Sequence, residues 1–250
     1  MAAAPKRPKT STTPPTNPAA TEREPRGARR KRETRQRLME AALALMAHKG
    51  MEGVAINEIT EAADVGFGSF YNHFESKEAI HAALIDWAFE SFADALDQLG
   101  RHISDPAEVL SLSMRYAMLR AQREPLWGQF LIKEALSIRV LTRGLGQRLL
   151  RDIQRGIEAK RFRGDDPLMS FTVAGGIVLA SLSVYLHLTP SNALPATPLP
   201  LPSFNADHLP ERAATELLLA LGLSRSEAEE IARRPLPPMN DSSLAARTEP

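Results

Sequence analysis

The residues with most to offer chemically stand together at Phe67, Gly68, Ser69, Tyr71, Asn72 and His73. They read as the outward face of a helix of about two turns, short enough to enter a DNA major groove. Amide, hydroxyl and aromatic groups are the types that reach base edges and phosphates there. Upstream, Arg29, Arg30, Lys31 and Arg32, with Arg35 and Arg37, supply cations for phosphate neutralisation. Eight basic residues between positions 23 and 37 read either as a DNA-contacting arm or as a solvated tail.

Other chemistries lack their residues. No cysteine is present, which excludes a disulfide scaffold and a thiolate zinc site. His48, His73, His81, His102, His187 and His208 show no paired metal-ligand spacing, so no metal is expected. Gly144-Leu145-Gly146 lacks the strand and lysine of a phosphate loop. No Gly-x-Ser-x-Gly elbow occurs, and Asp165-Asp166 reads as a pair of helix-start acids. Neither an enzyme nor a cofactor is expected.

The elements that must position the outward residues are helical throughout. Thr34 suits the cap of a first helix, with Leu38, Ala42, Leu45 and Met46 along one stripe and Gly50 at its end. Short helices fit residues 57–63 and 67–74, joined by the tight turn Ala63-Asp64-Val65-Gly66. Ser76 caps the next, which runs to about Leu99. Ile56, Ile59, Ala62, Val65, Phe70 and Phe74 can close a small core on Leu38, Leu45 and Met46. This is the plan of a helix-turn-helix.

Beyond it, Asp105-Pro106 and Pro125 open two more helices, and residues 138–161 form a helical stretch broken near Gly144 and Gly146. Asp165-Asp166-Pro167 starts a charge-free helix, and 208–221 and 224–234 close the fold. The fold class is all-α. The domains run as a disordered basic arm 1–30, a helix-turn-helix domain 31–80, a helical domain 81–234 with a Pro-rich loop at 189–207, and a disordered tail 235–250.

Charge follows the same division. The chain's net +1 is the sum of +8 over residues 1–37 and −7 over the rest. Of 19 prolines, only Pro106, Pro125 and Pro167 lie in the body, 38–188. The N-terminus has basic residues but no apolar core of a secretory signal, and a cytoplasmic location is expected.

Residues 35–83 resemble the N-terminal domain of the TetR family of transcriptional regulators. The resemblance rests on Ala47-His48-Lys49-Gly50, on the run Ile59-Thr60-Glu61-Ala62-Ala63-Asp64-Val65, on Gly68-Ser69-Phe70-Tyr71-Asn72-His73-Phe74, and on Ser76-Lys77-Glu78-Ala79. It implies phosphate contacts by Tyr71, His73 and Lys77, and base reading by Phe67, Gly68, Ser69 and Asn72. An asparagine amide pairs bidentately with adenine, and a phenyl ring packs on a thymine methyl. Phe67 also suits local packing, and His73 a solvated surface. The chain departs from the family pattern where Val54 and Ala55 replace a phosphate-donating Thr or Ser, where Asp64 replaces a turn glycine, and where Gly66-Phe67 replaces a Ser-Lys pair.

The resemblance further implies a second domain that binds a ligand and dimerises. Trp87, Phe92, Met114, Tyr116, Met118, Trp127, Phe130 and Met169 are candidate ligand contacts, and their apolar character favours an apolar or amphipathic effector. The dimer helices would be 167–188 and 208–221. Gly175, Gly176, Ala180 and Ser183 allow close approach, and Leu217, Leu218 and Leu221 bring apolar area. The expected protein is a homodimeric repressor released from a palindromic double-stranded DNA operator by a small effector. An activator or architectural DNA binder without effector control is the alternative. Residues 168–188 carry no Asp, Glu, Lys or Arg and are long enough to span a bilayer, so a membrane-associated helical protein is a remote third reading. Ser170, Thr172, Ser181, Ser183 and His187 argue against a span and for a helix buried in the fold or at a subunit interface.

Overall fold

The computed structural model describes residues 26–137, 139, 143–188 and 207–239. The proposed arm before residue 26, the Pro-rich loop at 189–206 and the tail from 240 lie outside the described residues. Those described are helical, with no strand among them.

Helix α1 spans Arg26–Lys49, so it starts within the basic run and not at a cap on Thr34. Arg, Lys, Ala, Glu and Gln after Gly27 are strong helix formers, and Arg29 pairs with Glu33 one turn on at 3.3 Å. Arg29, Arg30, Lys31 and Arg32 therefore ride on a helix and are not part of a free arm. Gly50 ends α1 with a φ of 74°, a left-handed conformation that glycine adopts without strain.

Helices α2 (Ile56–Ala62) and α3 (Phe67–Tyr71) follow. Leu38, Met46, Ile59, Phe70 and Phe74 close their core. Ala62 departs from expectation: it is exposed, and Ala63 is buried in its place. Helix α4 (Lys77–Ile85) is capped by Ser76, whose Oγ accepts from the Ala79 amide at 3.2 Å.

The helix predicted to run from Ser76 to Leu99 is continuous but irregular. A π turn, Asp86–Glu90, is inserted before α5 (Ser91–Gly100). Two side chains bond its carbonyls. The Ala88 carbonyl accepts a hydrogen bond from the Trp127 indole N–H at 2.9 Å, and the Ser91 hydroxyl bonds the Trp87 carbonyl.

Helices α6 (Pro106–Arg123) and α7 (Pro125–Glu134) begin at their prolines as expected. Asp105 caps α6, its Oδ1 accepting from the Ala107 amide at 3.0 Å. Helix α8 (Gly144–Glu158) starts at Gly144, so the predicted break there is its true beginning. Helix α9 (Pro167–Leu188) is the charge-free one; the Asp166 carboxylate accepts from the Met169 amide at 3.0 Å. Helices α10 (Leu209–Ala220) and α11 (Arg225–Arg233) pack on each other, and α10 also lies along α6 and α9.

Residues 235–239, placed in a disordered tail by sequence, are tied down. Leu236 and Met239 pack on the core, and the Tyr116 hydroxyl donates to the Pro237 carbonyl. The two halves of the chain are in contact: α1 packs on α7, and His81 Nε2 of α4 lies 3.1 Å from Glu134 Oε2.

Candidate nucleic-acid interface and the cavity behind it

The turn between α2 and α3 decides how α3 is presented. Asp64 takes a φ of 52°, the left-handed conformation that Asp tolerates better than most residues. Its amide donates to the Glu61 carbonyl, and the Val65 amide to the Thr60 carbonyl, at 3.1 and 3.0 Å. Arg37 of α1 reaches the Asp64 carbonyl at 3.4 Å. At the start of α2, where a capping Ser or Thr is missing, Glu58 reaches back and its Oε2 accepts from the Ala55 amide at 2.9 Å. Lys49 pairs with the same carboxylate and, with the Ala55 amide, lowers its pKa from the ordinary value.

This scaffold turns one face of α3 outward. Phe67 is 54% and Tyr71 52% exposed, their rings meeting edge to face at 5.7 Å. Gly68 and Asn72 are exposed beside them, and nothing lies within 4 Å of a Cβ placed on Gly68. Ser69 and Lys77 are half-buried. Phe70 points the other way and is fully buried. Two large aromatic side chains thus stand in water on α3, which ends at Tyr71, three residues short of the predicted 74.

Arg26, Arg29, Arg30 and Lys31 are exposed along the start of α1, with Arg32 half-buried. Lys31 and Arg35 of that helix lie near His73, just beyond the end of α3. Arg35 stacks on the Phe74 ring at 4.6 Å. His73 feels burial first, then Lys31 and Arg35, and all three lower its pKa below the ordinary histidine value. Its Nδ1 is buried without a hydrogen-bond partner among the described residues. The chain thus brings Tyr71, Asn72, His73 and the cations of α1 to one surface. Amide, hydroxyl, aromatic and cationic groups of this kind are the types that protein–DNA contacts use.

Behind this module lies a cavity of about 1150 Å³, walled by α5, α6, α8 and α9 with the end of α7. Its apolar wall includes Leu110, Leu149, Phe171 and Val178, and its polar side holds Asp97, Arg148, Arg151 and Asp152. Of the eight predicted ligand contacts, Met114 alone lines it. Phe92, Met118, Trp127 and Phe130 are instead solid core: the Trp127 ring meets Phe92 and Phe89 edge to face, and Arg120 stacks over Trp127 at 4.5 Å. Trp87 is half-buried in the π turn, Tyr116 binds residue 237, and Met169 is half exposed on the outside of α9. Spacing marked these side chains as apolar and left open whether they fill space or surround it.

The predicted dimer residues divide. Leu217, Leu218 and Leu221 are at most 2% exposed inside the protomer, because α10 is sandwiched between α6, α9 and α11. On α9, Gly176 and Ala180 are exposed, and Gly175 and Ser183 half-buried. That helix is not buried all round as expected. Only Ala174, Leu182, Tyr185 and Leu186 are buried along it. Gly175, Gly176 and Leu217 also line the cavity.

A helix-turn-helix presenting a polar aromatic face, set on a helical domain with a large cavity, defines a DNA-binding regulator. Residues 38–84 match the bacterial regulatory proteins of the tetR family, and residues 105–234 match the tetracyclin repressor-like C-terminal domain. The chain belongs to the TetR family of transcriptional regulators. It is 35% identical to RolR, whose crystal structure in complex with resorcinol covers 85% of this chain and all of that one, at a TM-score of 0.61. Ligand-free RolR matches at the same TM-score. The transcriptional repressor DhaR of Mycobacterium sp. is 42% identical over 78 residues, 31% of this chain and 36% of DhaR. The repressor KstR of Mycolicibacterium smegmatis is 29% identical over 111 residues, 44% of this chain and 54% of KstR. The chain thus spans about a third to a half of these curated relatives.

Proposed function

We propose that the protein is a homodimeric repressor that leaves a palindromic operator when a small apolar or amphipathic effector enters the cavity. The observation carrying this reading is the cavity itself, about 1150 Å³ and mostly apolar, bordered by the helix that continues from α4. RolR has been crystallised with and without resorcinol, and a hydroxylated aromatic of that kind suits apolar walls with a polar side. Phe67, Gly68, Ser69 and Asn72 read bases, while Tyr71, His73, Lys77 and the α1 cations hold phosphates. The two-fold axis runs along α9, whose outer face carries Leu168, Met169 and Val173 in water. It sets the two α3 helices about 34 Å apart, one turn of DNA, or a multiple. A regulator of this kind works where the chromosome is, in the cytoplasm.

The test is selection of bound fragments from the host genome, followed by anisotropy titration of a selected fragment with and without resorcinol and related phenols. Expected are a palindromic site and a fall in affinity with at least one such compound. Non-palindromic fragments, or affinity indifferent to every cavity-sized compound, would overturn it.

A further inference from the structure

One guanidinium joins the cavity wall to the irregular turn in the helix leading to the DNA module. Glu90 ends the π turn, and Asp94 and Asp97 follow on the same face at i+4 and i+7. Arg148 of α8 meets all three: Nη1 donates to Glu90 at 2.9 Å, Nη2 to Asp94 at 2.6 Å and Nε to Asp97 at 2.8 Å. The Gly144 amide donates to the other Glu90 oxygen at 2.8 Å, and Arg151 holds Asp97 at 2.6 Å. At the start of the turn, Arg139 grips Asp86 at 2.9 Å. Arg148 is also part of the cavity wall, between Leu145 and Leu149.

A π turn carries one residue more than the α-helix around it, so every residue beyond it is rotated. It can shift along a helix without breaking it, because each register satisfies most backbone bonds. Here the register is held from outside, by Trp127 on Ala88, Arg139 on Asp86, and Arg148 with Gly144 on Glu90. The Arg148 contacts are the ones that a molecule in the cavity can reach. A change of register rotates α4, with Lys77 and α3, against the effector domain. Two such registers would make a two-state element of the kind coupling requires.

We propose that Arg148 is the positioning residue that fixes the π-turn register, and that an apolar effector bearing an acceptor oxygen releases the turn by drawing this guanidinium off Glu90. The second half rests on the reading that the cavity takes the effector. The first does not.

The cysteine-free chain makes the test direct. Spin labels go on Glu52→Cys in the DNA module and Ser226→Cys in the effector domain, both exposed positions, with the labelled full chain diluted in unlabelled protein. Arg148→Met keeps length and removes the bonds, and Glu90→Gln keeps shape and removes the charge. Expected without any ligand is a shifted label distance and about tenfold weaker binding of a selected DNA fragment in Arg148→Met, in the range typical of coupling. Glu90→Gln should move both readouts the same way by less, and the double variant should be no worse than Arg148→Met. Arg148→Lys should recover part of the effect. If Arg148→Met fails to fold, Glu90→Gln carries the test alone. Unchanged distance and affinity in a variant that merely melts earlier would overturn the proposal and leave the cluster a stabiliser of α8. If neither resorcinol nor decanoate perturbs wild-type tryptophan fluorescence or DNA affinity while the variants still shift the distance, the effector half fails and the register half stands.

Discussion

Tyr71 and Lys77 stand on two different elements, the end of α3 and the first turn of α4, and under the proposed function a phosphate there would gain a hydroxyl, an ammonium and a helix N-terminus. Such contacts fix register and carry no sequence information. Tyr71→Phe with Lys77→Ala should weaken binding to selected and unrelated fragments by similar factors, while Asn72→Ala should cost about 1–3 kcal/mol on the selected site alone. Competition titrations on both DNAs separate the two. His73 gives a pH test. Burial and the cations Lys31 and Arg35 keep it neutral in the free protein at pH values where an isolated histidine begins to charge. Phosphates arriving beside Lys31 and Arg35 offset that repulsion and favour the imidazolium. The complex then binds more protons than its parts, and affinity should rise as pH falls towards the lowered His73 pKa of the free protein, levelling off below it. His73→Gln should flatten that rise, measured by anisotropy at constant ionic strength.

Among the elements, those whose ends are set by local chemistry were legible in the sequence. Gly50 stops α1, Ser76 caps α4, Pro106 and Pro125 open α6 and α7, and Asp166-Pro167 opens α9, each through a neighbour within a few residues. The departures have partners far along the chain. Asp86-Trp87-Ala88-Phe89-Glu90 is ordinary helical sequence, and its π turn is met by Trp127, Arg139 and Arg148 from 39 to 58 residues away. The cavity escaped for the same reason. The aromatic residues that marked a ligand box fill the core between α5 and α7, and Arg148 and Asp97, which do line the cavity, carried no motif that singled them out. In the recognition module the turn was read correctly down to Asp64, and that reading carries a stability prediction. A left-handed backbone costs most L-residues about 1–2 kcal/mol and Asp less. Asp64→Ala should therefore lower stability by about 1 kcal/mol, and Asp64→Gly should not, as read from denaturant midpoints at constant slope.

At the scale of the whole molecule the question is which surface meets a second copy. Helix α10 buries Leu217, Leu218 and Leu221 inside the protomer, so the proposed two-fold interface draws its apolar area from α9. It offers Leu168, Met169 and Val173, with Thr172, Gly176 and Ala180 between them at one-turn spacing. Small residues in that stripe let a symmetry-related α9 approach closely, as a two-fold interface requires. The same length and hydropathy would suit a bilayer, and helix α9 passes that compositional test. A membrane would cover the stripe without specificity, whereas a second α9 covers it by shape, so a single bulky charge distinguishes them. Ala180 is exposed, and Ala180→Arg should leave the protomer's own packing and thermal transition almost unchanged. In sedimentation it should convert dimer to monomer. Linking two half-site readers commonly raises avidity by about 10²–10⁴, so the variant should lose that much affinity for a two-half-site fragment while keeping its affinity for a single half-site. Binding curves on the two fragments give the ratio directly. A variant that stays dimeric with undiminished avidity would move the two-fold axis off α9.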